Sequence, residues 1–122
     1  MILADANIWI DYFRSGDAQL QTLLTNDEVV MHPCLAAELA LGSLHDRPRT
    51  LAELDGMPQA RVADLRDIRH MIEARRLYPK GFGLTDVHLV ASCLIMPGTK
   101  LWTRDSRLRG VAQTLGIDAG LP

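Results

Sequence analysis

The sequence contains few of the residues that cross-link small proteins, and it has no long apolar run. Its two cysteines, Cys34 and Cys93, stand singly in apolar stretches, without CxxC spacing or a neighbouring histidine pattern. We therefore expect two buried, reduced thiols and no redox or zinc site. No uninterrupted apolar stretch approaches the roughly 18 residues that a membrane span needs. No basic segment precedes a long apolar run at the start of the chain, so we expect a cytoplasmic protein that has no membrane partner.

An excess of charge of one sign is also lacking, because the formal net charge is only -2 at pH 7. By itself this value gives no reason to expect a nucleic-acid partner. The charges are nevertheless segregated: residues 1–46 hold one base and seven acids, whereas residues 47–109 hold twelve bases and seven acids. This distribution could place a basic rim beside an acidic pocket, which suits a polyanionic substrate approaching a metal ion. On charge alone, a mixed solvated surface is the simpler interpretation.

The pattern of apolar residues predicts one α/β domain over residues 1–122. A chain of this length that is 48% hydrophobic can bury one core. Strand-like runs at residues 2–5, 28–32 and 99–103 each precede a helical pattern. Helices are expected at residues 7–13, 33–42, 49–54, 62–77 and 85–96, and from residue 104 to Gly116. Such alternation predicts a three-layer α/β/α sandwich with a central parallel sheet, in which ligands bind at the carboxyl ends of the strands.

Glu38 is the most informative residue, because it is the only charged side chain between Pro33 and Leu44. The surrounding sequence, PCLAAELALG, predicts a helix that is apolar nearly all round and therefore buried. A glutamate is almost never fully buried unless it is paired or bound to a metal. The alternative is a glutamate that extends to solvent from the edge of the helix.

Three aspartates stand at junctions where a helix begins. Asp5 and Asp105 each follow an apolar strand-like run. Asp86 follows the glycine-bearing loop KGFGL and the capping candidate Thr85, and it opens the helix DVHLVASCLIM. Each could simply cap or neutralise a helix N-terminus. Taken together with Glu38, however, they would meet at one edge of the sheet and repel each other unless a cation intervened. Mg²⁺ or Mn²⁺ would suit such a site, because both prefer oxygen ligands.

Four segments carry a resemblance to a known family: MILADANIWIDYF, AELALG, LTDVHLVAS and LWTRDSRL. In this order and spacing the chain resembles the PIN domain, specifically the VapC-type toxins of bacterial toxin–antitoxin pairs. The resemblance covers essentially the whole chain. It implies metal-binding acids at Asp5, Glu38, Asp86 and Asp105, the set already isolated above. One departure is Ala6, where the family more often has Thr or Ser, so that a hydroxyl is missing from the edge of the expected pocket.

The resemblance also implies an activity and partners. One or two Mg²⁺ ions, with Mn²⁺ as an alternative, would activate water for attack on an RNA phosphodiester. Asp105 would act through a water molecule, and Asn7 and Thr103 would orient water or ligands, unless they only cap helices or end strands. Arg104 and Arg107 are candidates for contact with the RNA backbone. A homodimer and a cognate antitoxin that covers the site are further expectations.

Several prominent side chains are expected to serve packing rather than chemistry. His88 lies two residues from Asp86, and residues so spaced on a helix point to different sides, so we expect a packed or surface histidine and not a general acid. Trp9 and Trp102 could stack on bases, but beside strand ends they are expected in the core.

Other classes of protein also gather acids at strand ends. A haloacid-dehalogenase-like phosphatase has a DxD sequence after its first strand, but here the triplet is Asp5-Ala6-Asn7. A receiver domain needs a lysine at the end of its last strand, and Lys100 precedes LWT instead. A non-catalytic binding module with protein or DNA partners stays open as the alternative to a ribonuclease.

Overall fold

Two short strands form the centre of the protein, which we describe from a computed structural model covering all 122 residues. Strand β1 (Ile2–Ala4) pairs in parallel with β2 (Lys100–Trp102), and Leu3 lies opposite Leu101. Apart from Lys100 the residues of both strands are apolar, and Leu3 and Leu101 are completely buried. Because the strands are parallel, the residues that follow them, Asp5 and Thr103, emerge at the same edge.

The third strand expected at residues 28–32 does not form as a continuous strand. Val29 makes an isolated parallel bridge with Ile2, and Met31 makes one with Gln59. The Val30 amide donates to the Ile2 carbonyl at 2.9 Å, whereas the Met31 amide donates to the Pro58 carbonyl at 2.8 Å. The segment therefore changes its hydrogen-bonding partner from one residue to the next, and a regular ladder with β1 cannot continue.

Seven helices surround the strand pair. They are α1 (Ala6–Ser15), α2 (Ala18–Thr25), α3 (Pro33–Ala40), α4 (Arg47–Asp55), α5 (Leu65–Ala74), α6 (Leu84–Ile95) and α7 (Ser106–Thr114). Even α6, at 12 residues, is too short to cross a lipid bilayer, and no other helix meets that requirement. The α/β fold predicted from the sequence is thus confirmed, with a smaller sheet than expected.

Two helix predictions need correction. Helix α2 was not predicted, although Asp17 caps it by accepting a hydrogen bond from the Leu20 amide at 3.0 Å. Helix α5 is shorter than residues 62–77, because Asp64 caps it and places Val62 outside the helix. Val62, outside the helix, is 50% exposed, whereas Ile68 within it is buried.

Helix α3 is not buried all round, which corrects the expectation for Glu38. Leu35 and Leu39, four residues apart, face the core, but Ala37 and Glu38 are exposed. Residues four apart share one face of a helix, so the two leucines leave the opposite face to solvent. The alanines make the sequence of this helix apolar, but a side chain as small as alanine can remain exposed to solvent.

One main core holds the strands and helices in place. It contains 21 buried residues, including Trp9 and Trp102, as expected. Burying one large apolar side chain contributes roughly 1.5–3 kcal/mol. The core therefore holds the end of β1 and the helices α3 and α6 in one arrangement, and these elements carry the acids of the candidate site.

Candidate active site

Asp5 is anchored where the two parallel strands end. Only 4% of the residue is exposed. Its Oδ1 accepts a hydrogen bond from the Ile8 amide at 3.2 Å and so caps α1, while its Oδ2 accepts a hydrogen bond from the Thr103 hydroxyl. The Asp5 amide donates to the Trp102 carbonyl at 3.0 Å. A capping role and a place in a site are therefore compatible for this aspartate, since its carboxylate is both held and buried at the edge of the sheet.

Three of the four acids predicted from the sequence line one pocket. Asp5 comes from the end of β1, Glu38 from α3 and Asp86 from the first turn of α6. The pocket has a volume of about 340 Å³, and its other lining residues are Ala6, Asn7, Ile10 and Leu39. Helix α3 packs against both α1 and α6, which explains how residues distant in sequence meet here.

The pocket disfavours negative charge when no cation is present. Burial raises the pKa of Asp5, the hydrogen bond from Thr103 opposes that effect, and the nearby Asp86 raises the pKa further. The pKa of Glu38 is also raised, first by partial desolvation and then by Asp86 and Asp5. Glu38 is largely exposed, so its desolvation is only partial, and the two aspartates add repulsion between like charges.

This donor set fits a hard divalent cation. The pocket offers carboxylate oxygens and the Asn7 side chain, with no basic side chain among its lining residues. None of the three acids forms a salt bridge within the chain. A cation in the pocket would relieve the repulsion that raises both pKa values, and oxygen ligands are those that Mg²⁺ and Mn²⁺ prefer.

Asp86 is held by the loop that precedes its helix. Helix α6 begins one residue before Thr85, and Gly83, not Thr85, is its N-cap. The Gly83 amide donates to Asp86 Oδ2 at 3.2 Å. This contact orients one carboxylate oxygen toward the loop.

Asp105 lies outside the lining of the pocket, contrary to the expectation that all four acids converge. Its Oδ1 caps α7 by accepting from the amides of Arg107 at 2.9 Å and Leu108 at 3.2 Å. The Asp105 amide donates to the Thr103 hydroxyl oxygen at 3.1 Å, and that hydroxyl donates to Asp5. Thr103 therefore links Asp105 to the pocket through hydrogen bonds.

The two arginines expected to contact RNA already have partners within the chain. Arg104 donates to Asp11 at 3.1 Å and to Asp17 at 2.6 Å, and its guanidinium lies 5.4 Å from the centre of the Trp102 ring. The hydrogen bond from Arg104 lowers the pKa of Asp17. Arg107 donates from Nη1 to the Lys80 carbonyl at 2.7 Å. The acidic N-terminal part of the chain thus neutralises Arg104, which the sequence alone did not indicate.

The structure also corrects the expectation for Cys34. Its thiol is partly exposed, and it lies within 4.8 Å of a ring nitrogen of His32 and of His88. His32 Nδ1 accepts from the Cys34 amide at 2.9 Å, which caps α3. His88 is buried, as expected of a packed histidine, whereas Cys93 alone is the buried thiol that we expected. His32 and His88 come from different elements, so no local motif could have revealed this cluster.

Comparison with known proteins finds similarity over nearly the whole chain. A family model described as "PIN domain" matches residues 2–113. Two proteins called "Ribonuclease VapC32", from Mycobacterium tuberculosis strains CDC 1551 / Oshkosh and ATCC 25618 / H37Rv, are each 38% identical to this chain over 117 residues. The match covers 96% of this chain and 94% of each relative.

Proposed function

The chain belongs to the PIN-domain family as a VapC-type ribonuclease, and from this premise we propose that it is a divalent-metal-dependent enzyme that cleaves RNA in the cytoplasm as the toxin of a toxin–antitoxin pair. The observation that carries the proposal is the pocket lined by Asp5, Glu38 and Asp86. These acids come from three separate elements and have no basic partner in the chain. A purely structural set of acids would be expected to form salt bridges or to remain apart in solvent.

In this proposal Asp5, Glu38 and Asp86 would hold Mg²⁺, or Mn²⁺ in its place, and Asp105 would contribute through a water molecule. A bound divalent ion supplies Lewis-acid chemistry, since it lowers the pKa of water and offsets charge that develops on the phosphate. In the hydrolysis, the oxygen of water bonds to phosphorus, the ester P–O bond breaks, and the leaving oxygen gains a proton. Asn7 lines the pocket and would orient water.

The chain contributes by holding the carboxylates before substrate arrives. The Ile8 amide and the Thr103 hydroxyl each bond to one oxygen of Asp5, and the Gly83 amide bonds to Asp86. Groups that are oriented in advance need little rearrangement during the reaction. Thr103 should therefore matter for activity by orienting Asp5.

The decisive experiment is cleavage of RNA by purified, partner-free protein. We expect cleavage with Mg²⁺ or Mn²⁺, no cleavage in EDTA, and a loss of at least about 100-fold for Asp86→Asn, by comparison with the removal of other oriented catalytic groups. Asp64→Asn is the matched control, because Asp64 also stands at a helix N-terminus, where asparagine can still cap the helix. Cleavage at the full rate in EDTA would exclude the proposed mechanism.

The toxin role and the partners are tested in cells. Expression without an antitoxin should arrest growth by damaging RNA needed for translation, and co-expression of the cognate antitoxin should restore growth. Glu38→Gln should not arrest growth. If it does so as strongly as wild type, the toxicity does not come from catalysis. A homodimer is proposed on the family resemblance, and sedimentation of the purified protein tests it.

A further inference from the structure

A second cavity differs in charge from the pocket lined by Asp5, Glu38 and Asp86, which we call the acidic pocket. It lies between the end of α5, the segment that follows it, and one face of α7, and its volume is about 750 Å³. Its polar lining comes from Arg75, Lys80, Ser106, Arg107 and Thr114, and no acidic residue lines it. We call this cavity the basic cleft. Three basic side chains and two hydroxyl groups around an open cavity are the groups that commonly bind phosphate oxygens.

The positive charges of the basic cleft are available to a ligand. Arg75 and Lys80 are exposed and form no salt bridge with the chain. Arg107 uses Nη1 to donate to the Lys80 carbonyl, and a guanidinium has five N–H donors, so it keeps others for a ligand. Arg104 offers a contrast, since Asp11 and Asp17 already neutralise it.

The basic cleft is connected to the acidic pocket through residues 80–83. Arg107 bonds to the start of this segment at Lys80, and the amide of Gly83 bonds to Asp86. Gly81 permits the close approach: its φ is +76°, and a Cβ atom there would lie 3.0 Å from Nη1 of Arg107. On the other side, Ser106 of the cleft directly follows Asp105. The segment 80–83 thus contacts Arg107 of the basic cleft at one end and Asp86 of the acidic pocket at the other.

We propose that the basic cleft binds backbone phosphates of the RNA next to the scissile phosphodiester, with Arg75 and Lys80 as the main contacts. The proposal rests on the ribonuclease function proposed above. Three carboxylates repel a polyanion, so a bound metal must be supplemented by cations elsewhere to hold the substrate. The basic cleft offers cations without acidic partners, and the segment 80–83 joins it to the acidic pocket. Phosphate contacts position a nucleic acid without reading its sequence, so these residues should affect binding rather than the site of cleavage.

The test measures RNA binding without cleavage. In an Asp86→Asn background and in EDTA, a fluorescent single-stranded RNA is titrated with protein that carries Arg75→Gln and Lys80→Gln together. The control pair is Arg14→Gln with Arg49→Gln, which removes the same charge from two arginines already paired with Asp11 and Glu53. We expect Kd to rise about tenfold for the cleft pair, and the slope of log K against log salt to fall by roughly 1.4, for two phosphate contacts at about 0.7 each.

A second measurement separates binding from chemistry. In the active protein the cleft pair should raise KM and leave kcat nearly unchanged, and Lys80→Arg should retain the KM of wild type. Melting temperatures confirm that each variant folds. The proposal is overturned if the cleft pair binds RNA with wild-type Kd and salt slope, or if the control pair weakens binding as much. It is also overturned if RNA binding is unchanged and only binding of the antitoxin is lost, because the cleft would then serve a protein partner. If the cleft pair loses RNA binding but the wild type cleaves no RNA, the basic cleft is supported and the ribonuclease proposal fails.

Discussion

The buried imidazole of His32 should make the folded protein sensitive to acid. His32 is completely buried, Nδ1 accepts from the Cys34 amide at 2.9 Å, and Nε2 has no hydrogen-bond partner. Burial, with a smaller contribution from His88, lowers the pKa of His32 from 6.5 to about 4. Protonation at Nδ1 would break the cap on α3 and would place a positive charge in a fully buried position beside the ring of His88.

The sign and size of the effect follow from this lowered pKa. In the unfolded chain His32 binds a proton near pH 6.5, whereas the folded protein resists protonation until about pH 4. The stabilisation that neutral His32 contributes to the folded state is therefore fully present above pH 6.5 and is lost as pH falls toward 4. At about 1.36 kcal/mol per pH unit, the loss reaches about 3 kcal/mol near pH 4 and is about 1.4 kcal/mol near pH 5.5. Asp5 and Glu38, whose pKa values are raised, act in the opposite direction, because the folded protein binds their protons more readily.

A comparison of two variants isolates the histidine from these carboxyl groups. Asparagine is a good N-cap that does not titrate in this range, so His32→Asn should keep the cap and remove the titration. Urea unfolding of wild type and His32→Asn is measured in EDTA at about pH 7.5, 5.5 and 4.5. We compare the free energy of unfolding of wild type with that of His32→Asn at each pH. Relative to its value at about pH 7.5, this difference should fall by about 1.4 kcal/mol at about pH 5.5 and by about 2.6 kcal/mol at about pH 4.5.

The control is His70→Asn, which makes the same substitution at an exposed position on α5. A difference between wild type and His32→Asn that stays constant from about pH 7.5 to 4.5 would refute the reasoning, because it would show that the folded and unfolded states protonate His32 alike.

Two further predictions concern charge. At neutral pH and without metal, Glu38→Gln should be as stable as wild type or more stable. The gain should be less than about 1 kcal/mol because Glu38 is exposed. Mg²⁺ should raise the melting temperature of wild type more than that of the variant. A marked loss of stability in EDTA would instead indicate that Glu38 is structural. Arg104→Gln removes both ion pairs with Asp11 and Asp17 and should destabilise the fold by about 1 kcal/mol at low salt and by less at high salt. Equal loss at both salt concentrations in denaturant unfolding would show that packing on Trp102 dominates.

The sequence by itself determined the features that depend on neighbouring residues. Asp5 and Asp105 follow short strands and cap the next helices, which is one of the two roles that their positions allowed. The alternation of strand and helix indicated the α/β fold, and four segments spaced along the chain indicated the family. These signals are local, because backbone preferences, caps and apolar periodicity act over a few residues.

Only the tertiary structure decided which distant groups meet. It placed Asp5, Glu38 and Asp86 in one pocket but left Asp105 at its cap, joined to the others through Thr103. It also decided which basic side chains have acidic partners. Arg104 pairs with acids from α1 and from the N-cap of α2. Arg75 and Arg107 have no such partner, and the end of α5 and the start of α7 bring them to one cleft. The physical reason is that such contacts depend on how helices pack around a shared core, and the charge of a residue in the sequence does not reveal which partner that packing supplies.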